Sequence, residues 1–465
     1  MSRVLISAAH KSSGKTTVSI GLCAALKNRG LTVQPFKKGP DYIDPMWLST
    51  ASGRTCRNLD FYIMSSDEIV ANFTRYSSGA DISLIEGNKG LYDGLNLDGS
   101  NSNAALANLL HAPVVLVIDA RGMTRGIAPL ILGYQAFDPN IRIAGVILNK
   151  LGGARHESKL RSVIEHYTDV PVIGAVHQDP QLEIVERHLG LVPSNEAEAA
   201  LRRTEEIGAI VGAQVDLDKL LLVGSKAPPL AQVNFAGQET ISPAAVTKVR
   251  IGLVRDRAFG FYYADDMDAL AAAGAELVPV DALHDKHLPE VDGLFIGGGF
   301  PELLMDELEA NATFREEVRD AIEAGLPVYA ECGGLMYLSR SLTWRGKTRH
   351  MVGAIPGDVV MHDKPVGRGY VRLRETPLHP WPDTGQTGAE RLAHEFHYSS
   401  LENLDAGLEF AYEVERGTGI DGRHDGLIYK NLLASYAHFR SLQGYNWAQR
   451  FVAHVRRIAR DARNT

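Results

Sequence analysis

The chain has 465 residues, too many for one ordinary domain, so two or three are expected around large cores. Hydrophobic residues at 45% and charged residues at 22% exclude a mainly disordered chain, and a formal net charge of −8 argues against coating of nucleic acid, though not against a local anion pocket. Glycine is the outlier: 45 of 465 is about a tenth, and without a repeat period that excess points to tight loops against phosphates or between strands and helices.

From the N-terminus, residues 4–7, 31–35, 82–86, 114–119, 143–149 and 172–175 read as buried strands, with helical patterns between them, as at 16–29 and 155–167. That alternation predicts a parallel sheet with crossover helices. Around 224–248 Pro, Gly, Ser, Gln and Asn accumulate without a sustained period, the mark of a linker. A second α/β pattern opens at 249–254 and continues through 294–296, 327–330 and strands near 352–355. The expected division is 1–223, a linker at 224–248, and 249–465. No charged-then-apolar leader precedes the first strand, and no apolar run approaches the ~20 residues of a spanning helix. Three cysteines, Cys23, Cys56 and Cys332, are too few for a disulfide framework and suit a reducing cytosol. A soluble, cytoplasmic protein without membrane or nucleic-acid partners is expected; a homo-oligomer is left open.

The first strand runs into Ala9-His10-Lys11-Ser12-Ser13-Gly14-Lys15-Thr16-Thr17, a Walker A pattern with Ala9 in place of the first glycine. Backbone N–H groups of such a loop and the following helix form a concave anion site. Lys15 is expected to reach the terminal phosphates of ATP and Thr16 to hold Mg²⁺. Carboxylates that complete a magnesium octahedron are sought at strand ends: Glu86, and Asp41 and Asp44 in a Pro-bracketed segment whose simpler reading is a turn. Lys37 and Lys38 are read either as neutralising a transferred phosphate or an acidic substrate, or as a solvated surface pair. Asn149-Lys150, closing a strand, resembles the base-reading loop of many P-loop proteins.

In the second half, Pro327-Val328-Tyr329-Ala330-Glu331-Cys332-Gly333-Gly334 is a strand, a cysteine and two glycines opening a helix, the nucleophile-elbow arrangement. The helix start is expected to depress the thiol pKa and, at Gly333, to offer an N–H to an oxyanion. Gly297-Gly298-Gly299-Phe300-Pro301-Glu302 is a second Gly-rich strand exit, whose Gly298 and Gly299 could supply further oxyanion donors. Cys23 and Cys56 read as inert core thiols. His438, after an apolar strand-like run, is the candidate base, with His394 and His397 as competitors. His394-Glu395-Phe396-His397 is one residue too short for the zinc-protease helix motif, and a metalloprotease is rejected.

With these motifs together, Gly39-Pro40-Asp41-Tyr42-Ile43-Asp44-Pro45, Glu86-Gly87-Asn88-Lys89-Gly90-Leu91-Tyr92-Asp93-Gly94 and His394-Glu395-Phe396-His397-Tyr398-Ser399 included, the chain resembles the cobyrinic acid a,c-diamide synthase family over nearly its whole length. The resemblance implies two doubly wound parallel-sheet α/β domains, a P-loop, dethiobiotin-synthetase-like amidoligase followed by a class I glutamine amidotransferase. It implies that Cys332, helped by His438, releases ammonia from glutamine through a thioester, and that ATP phosphorylates a peripheral acetate (a or c) of a tetrapyrrole, from which ammonia displaces phosphate. By the same resemblance Ser13, Gly14, Lys15, Thr16, Thr17 and Asn149 serve the nucleotide, and Thr16, Asp44 and Glu86 serve Mg²⁺. Asp41, Tyr42, Asp44 and Asp93 line the substrate side, with Lys37 and Lys38 the first place to look for a basic patch.

The usual amidotransferase triad has Glu two residues after His; here that position is Arg440, as in the resembled family and unlike cytidine triphosphate synthase. The phosphate loop, and Gly39-Pro40-Asp41 led by two lysines, also resemble a branch associated with sirohaem amidation. Two rival readings remain at this point. A partitioning-type ATPase switch gives Cys332 no role and has His10 where its signature lysine belongs; a ligase using free ammonia makes the second domain inert.

Overall fold

A computed structural model describes residues 1–184, 186–187, 190–191, 200–230, 248–382 and 388–464. The chain divides into two compact units, Met1–Phe235 and Ala236–Thr465. Most of the expected linker, 231–247, lies outside the described residues; its first residues finish a helix.

The first unit runs β1 (Arg3–Ala8), α1 (Lys15–Asn28), β2 (Val33–Lys38), α2 (Ile43–Ser52), β3 (Arg57–Leu59), α3 (Ser66–Ser77), β4 (Ile82–Glu86) and α4 (Asn103–Leu109). It continues with β5 (Val114–Asp119), α5 (Ile127–Phe137), β6 (Ile143–Leu151), α6 (Ala154–Tyr167), β7 (Val172–His177), the short pair β8 (Glu186–Arg187) and β9 (Gly190–Leu191), then α7 (Ala200–Gln214) and α8 (Leu217–Ser225). Seven strands form one parallel sheet in the order β3-β2-β4-β1-β5-β6-β7. Every residue of β1, β2 and β4 is buried, as a sheet covered on both faces by crossover helices requires. The register sets Glu86 beside both Ile6 and Lys37, so the carboxyl ends of β1, β2 and β4 present the phosphate loop, a lysine and a carboxylate at one edge.

The second unit runs β10 (Val249–Val254), β11 (Phe259–Phe261), α9 (Ala264–Ala272), β12 (Ala275–Val280), β13 (Gly293–Ile296), β14 (Gly298–Gly299), α10 (Met305–Ala310), α11 (Ala312–Glu323), β15 (Val328–Glu331) and α12 (Gly333–Leu338). After these come β16 (Ser339–Trp344), β17 (Lys347–His350), β18 (Ile355–Met361), β19 (Gly367–Glu375), β20 (Glu390–His397), β21 (Ser399–Glu402), β22 (Glu409–Arg416), β23 (His424–Tyr429), β24 (Leu432–Ser435) and α13 (Trp447–Asn464). The strand expected near 352–355 starts only at Ile355.

The main sheet has nine strands, β12-β10-β13-β15-β24-β23-β22-β19-β20, and it is mixed. Its first five strands are parallel, as expected; the remaining four pair antiparallel. The reason is connection length. Only short turns join β22 to β23 and β23 to β24, and these cannot carry a parallel crossover. On β19 buried and exposed residues alternate, the pattern of a sheet wet on one face. One face of the sheet packs Phe314, Val318 and Ile322 of α11; the other packs Trp447, Phe451 and Val455 of α13 against Phe295 and Tyr329. No helix among the described residues is long and apolar enough to cross a membrane.

Candidate active sites

In the first unit the loop from β1 to α1 turns through two left-handed residues, Ser12 (φ 65°) and Gly14 (φ 81°). A Cβ on Gly14 would lie 2.2 Å from Asn149 Nδ2, so only glycine lets the loop close on that side chain. Asn149 Nδ2 donates to Ser13 O (2.8 Å) and Lys150 Nζ to Ser12 O (2.8 Å), while Ser13 Oγ donates to His10 O (2.8 Å). Asn149 thus braces the phosphate loop. Thr17 follows in the first turn of α1. The 87–94 loop runs alongside: Gly87 N donates to Ile6 O, Leu91 N to Ala8 O, and the exposed Asp93 accepts from Gly90 N at 2.9 Å.

Behind the loop is a buried ionic cluster. Thr16 Oγ1 donates to Glu86 Oε1 (2.7 Å) and lies 3.3 Å from Asp44 Oδ2. Lys37 Nζ pairs with Asp44, with Glu86 Oε1 at 3.0 Å and with Asp41 Oδ2 at 3.7 Å; Lys15 Nζ is 3.8 Å from Glu86. Asp41 Oδ1 also accepts from Ile43 N and Asp44 N, which fixes the start of α2, where Tyr42 is buried. Burial works against the charge on Lys37, but Asp44 and Glu86 hold its pKa well above the ordinary lysine value. Burial, with Lys37 beside it, lowers Lys15. Burial would raise Asp44, yet the charge of Lys37 keeps it below the usual range; burial and the charge of Asp44 push Asp41 up to about 7.

One consequence differs from the sequence reading. Lys37 and Lys38 are 1% and 6% exposed, so the basic patch expected there is not at the surface. Lys37 is consumed by three carboxylates; burial, with Lys89 near, brings Lys38 down to about 8 despite Asp60. Among the described residues no group of three His, Cys, Asp or Glu side chains is placed to hold a metal by itself, and the expected magnesium residues, Thr16, Asp44 and Glu86, include only two of those types. What the cluster offers is the Thr16 hydroxyl, the Asp44 carboxylate and Glu86 Oε2, a buried oxygen without a hydrogen-bond partner among the described residues. That donor set fits magnesium, which takes few protein oxygens and fills its octahedron with phosphate and water.

In the second unit Cys332 follows β15 with φ 46° and ψ −98°, the left-handed backbone of a strand-to-helix elbow. Its N–H donates to Ser435 O (2.7 Å), tying it to β24. The strand pair β11–β14 holds Gly298-Gly299 over the elbow: a Cβ on Gly333 would lie 2.9 Å from Gly299 N, and one on Gly298 would lie 2.7 Å from His438 Cε1. The three predicted oxyanion glycines and His438 therefore converge. The thiol departs from expectation. Burial, then Glu302 and Glu331, raise its pKa, and the N–H of Gly333 counters only in part. Burial, with two carboxylates near, outweighs a six-residue helix end, so the shift runs opposite to the expected depression.

His438 Nδ1 faces Glu331 Oε2 at 3.2 Å, with both side chains buried. Its ring stacks on His394 (centroids 5.0 Å, 17°), whose Nδ1 meets Tyr263 OH at 3.3 Å. Burial, with His438 and Arg440 beside it, keeps His394 neutral. His397 stacks on Tyr436 and bonds Ser399 O. Arg440 pairs with Asp265 at 2.6 Å. Asp425, which sequence reasoning missed, pins the approach to His438 by accepting from Ser435 Oγ, Tyr436 N and Ala437 N. Cys23, Cys56 and Cys332 are all free and buried.

The profile of the CobQ/CobB/MinD/ParA nucleotide binding domain matches residues 5–192, and that of the CobB/CobQ-like glutamine amidotransferase domain matches 250–445. Among curated proteins, the chain is 47% identical to the cobyrinate a,c-diamide synthase of Magnetococcus marinus over 96% of this chain and 95% of that one. It is 44% identical to that of Methanosarcina acetivorans (95% and 92%) and 43% identical to that of Archaeoglobus fulgidus (97% and 96%). A phosphate loop in one unit and a cysteine elbow in the other, matched along nearly the full chain at such identity, place this protein in the cobyrinate a,c-diamide synthase family of ATP-using, glutamine-dependent amidotransferases.

Proposed function

We propose that the protein converts the peripheral a and c acetates of an acidic tetrapyrrole of the cobyrinate type to amides, in a reducing cytoplasm, with residues 1–223 as amidoligase and 249–465 as glutaminase joined by 224–248. The observation that carries this reading is the Cys332 elbow: a left-handed cysteine followed by Gly333, with Gly298 and Gly299 packed against Gly333 on one side and Gly298 against the buried ring of His438 on the other.

Cys332 Sγ attacks the side-chain carbonyl of glutamine as its proton passes to His438. The oxyanion is received by backbone N–H groups of Gly299 and Gly333, and His438 returns the proton to the departing nitrogen, giving ammonia and a thioester. Water then attacks the thioester and releases glutamate, restoring the thiol. In the first unit Lys15 and the phosphate-loop N–H groups hold the terminal phosphates of ATP. A carboxylate oxygen of the tetrapyrrole takes the γ-phosphoryl group, and ammonia displaces phosphate from the acyl phosphate. Asp41, Tyr42, Asp44 and Asp93 are assigned to the substrate side. Thr16, Asp44 and Glu86 are the residues that would hold magnesium, which would supply charge neutralisation for the phosphates.

The chemistry favours fusion of two sites. A carboxylate resists an amine until phosphate gives it a leaving group, and ammonia is nucleophilic only while unprotonated. The test is Cys332→Ala in the full chain, with glutamine or an ammonium salt as nitrogen source and products read by mass spectrometry. Cobyrinic acid, sirohaem and sirohydrochlorin are offered separately. Glutamine use should vanish and ammonium use remain; loss of both refutes two sites, and amidation of sirohaem alone moves the substrate to that branch.

A further inference from the structure

We propose that Glu331, the residue immediately before the nucleophile, is the positioning residue of His438 and takes the part that a carboxylate two residues after the histidine plays in the usual triad. The inference rests on Cys332 and His438 being the glutaminase pair.

The two oxygens of Glu331 are distinguishable. Oε1 accepts from Tyr329 OH (2.6 Å) and from Phe439 N (3.1 Å); Oε2 faces His438 Nδ1 at 3.2 Å. All of this is buried: the Glu331 and His438 side chains are 4% and 3% exposed. The backbone N–H of Phe439 can only donate, so the oxygen opposite it must remain an acceptor. An ionised carboxylate there requires Nδ1 of His438 to carry the proton. Nε2 then holds the lone pair, and it is the nitrogen able to take the Cys332 proton. The fold supplies the arrangement directly. Register pairs Glu331 with Ser435, three residues before His438, and Asp425 fixes the intervening turn. Arg440, at the position of the usual carboxylate, pairs with Asp265.

In the reaction Glu331 gives up no proton and takes none. The thiol proton moves to Nε2 as the S–C bond forms, then to the leaving nitrogen as the C–N bond breaks, while Glu331 faces the transient imidazolium.

Glu331→Gln tests this through the donor pattern. The amide oxygen must stay opposite Phe439 N–H, so the NH₂ group faces Nδ1 and drives the ring proton to Nε2, the tautomer that cannot accept from Cys332. Glutaminase kcat should fall by about 10²-fold or more, with KM for glutamine within about threefold of wild type. Two-dimensional ¹⁵N-histidine spectra of the full chain, with His438 assigned by His438→Asn, should show Nδ1–H in wild type and Nε2–H in Glu331→Gln. A wild-type Nε2–H tautomer overturns the proposal even if the variant does not fold. So does a variant kcat within about threefold of wild type, or a loss carried by KM. The underlying pair is tested separately: glutaminase surviving Cys332→Ala removes the pair itself, whereas loss there with an active Glu331→Gln removes only the role of Glu331.

Discussion

Replacing Lys37 by Met should unfold the first unit far more easily, although the substitution keeps volume and adds apolar surface. Lys37 Nζ sits 3.0 Å from Glu86 and 3.7 Å from Asp41, besides its bond to Asp44. At an effective dielectric constant near 20, the separation from Glu86 corresponds to an attraction of about 5–6 kcal/mol, whereas Asp41, 34% exposed and held at about 7, carries only part of its charge at neutral pH and adds less. Desolvation of a fully buried ammonium and repulsion from Lys15 consume most of that. Removing the lysine, however, leaves the fully buried Glu86 and the largely buried Asp44 without their main cation, and breaking a buried pair from one side costs about 3–5 kcal/mol.

The expected deficit in Lys37→Met is therefore about 3–5 kcal/mol, measured by urea unfolding of the first unit. Adding Asp44→Asn should return about 1–3 kcal/mol of it, since the second change removes a charge the first left unpaired. The pH window follows from the shift directions. Lys37 is raised, so its stabilisation is complete below 10.5 and fades as pH rises through the folded value. Asp44 is lowered, so its share is present above 3.8 and fades as pH falls through the folded value. Neutral pH lies inside both limits. A Lys37→Met variant within about 1 kcal/mol of wild type at pH 7, or one in which Asp44→Asn adds its full separate cost, would refute the reasoning.

Other expectations follow from the same geometry. Lys15→Ala or Glu86→Gln should eliminate amide synthesis from glutamine and from ammonium alike while leaving glutamate release from glutamine; product analysis with each nitrogen source checks this. Acid should destabilise the second unit early, because burial holds His379 at about 3 and His454 at about 4. Both folded values lie below 6.5, so stability is complete above that pH and is lost as pH falls, by up to about 4 kcal/mol for the two together between pH 6.5 and 5. Urea unfolding at pH 7.5 and 5.0 should show that loss, and His379→Gln combined with His454→Leu should shrink it. Asp425→Ala should cost about 10-fold or more in glutaminase rate through the misplaced approach to His438, read as kcat at saturating glutamine.

Much of the parallel architecture was legible because buried strands leave a coarse mark. Runs such as Val114–Asp119 are apolar on both faces and bounded by turn residues, so their place in a covered sheet follows from composition alone. The antiparallel edge was harder. Strands such as Gly367–Glu375 alternate, carry charge, and reveal their pairing only through the turns that join them. At the sites, Gly14-Lys15-Thr16 and Cys332-Gly333-Gly334 announce themselves because phosphate loops and elbows are local in sequence. The burial of Lys37 is not local. Its hydration is decided by Asp41, Asp44 and Glu86, brought to it by two other elements, and two adjacent lysines read in isolation look solvated.

The orienting carboxylate of the histidine shows the same limit from the other side. A triad is a set of distances, and sequence spacing stands in for distance only when both partners lie on one segment. Two residues beyond His438 the chain carries Arg440, which makes the pair look incomplete. Yet the imidazole requires only that some carboxylate meet Nδ1, whichever strand brings it. Here β15 ends at Glu331, just before Cys332, and lies against β24, which leads to His438. The orienting acid can therefore precede the nucleophile instead of following the base. The departure at position 440 moves the carboxylate to another segment, and nothing in the spacing of the histidine could have shown where it went.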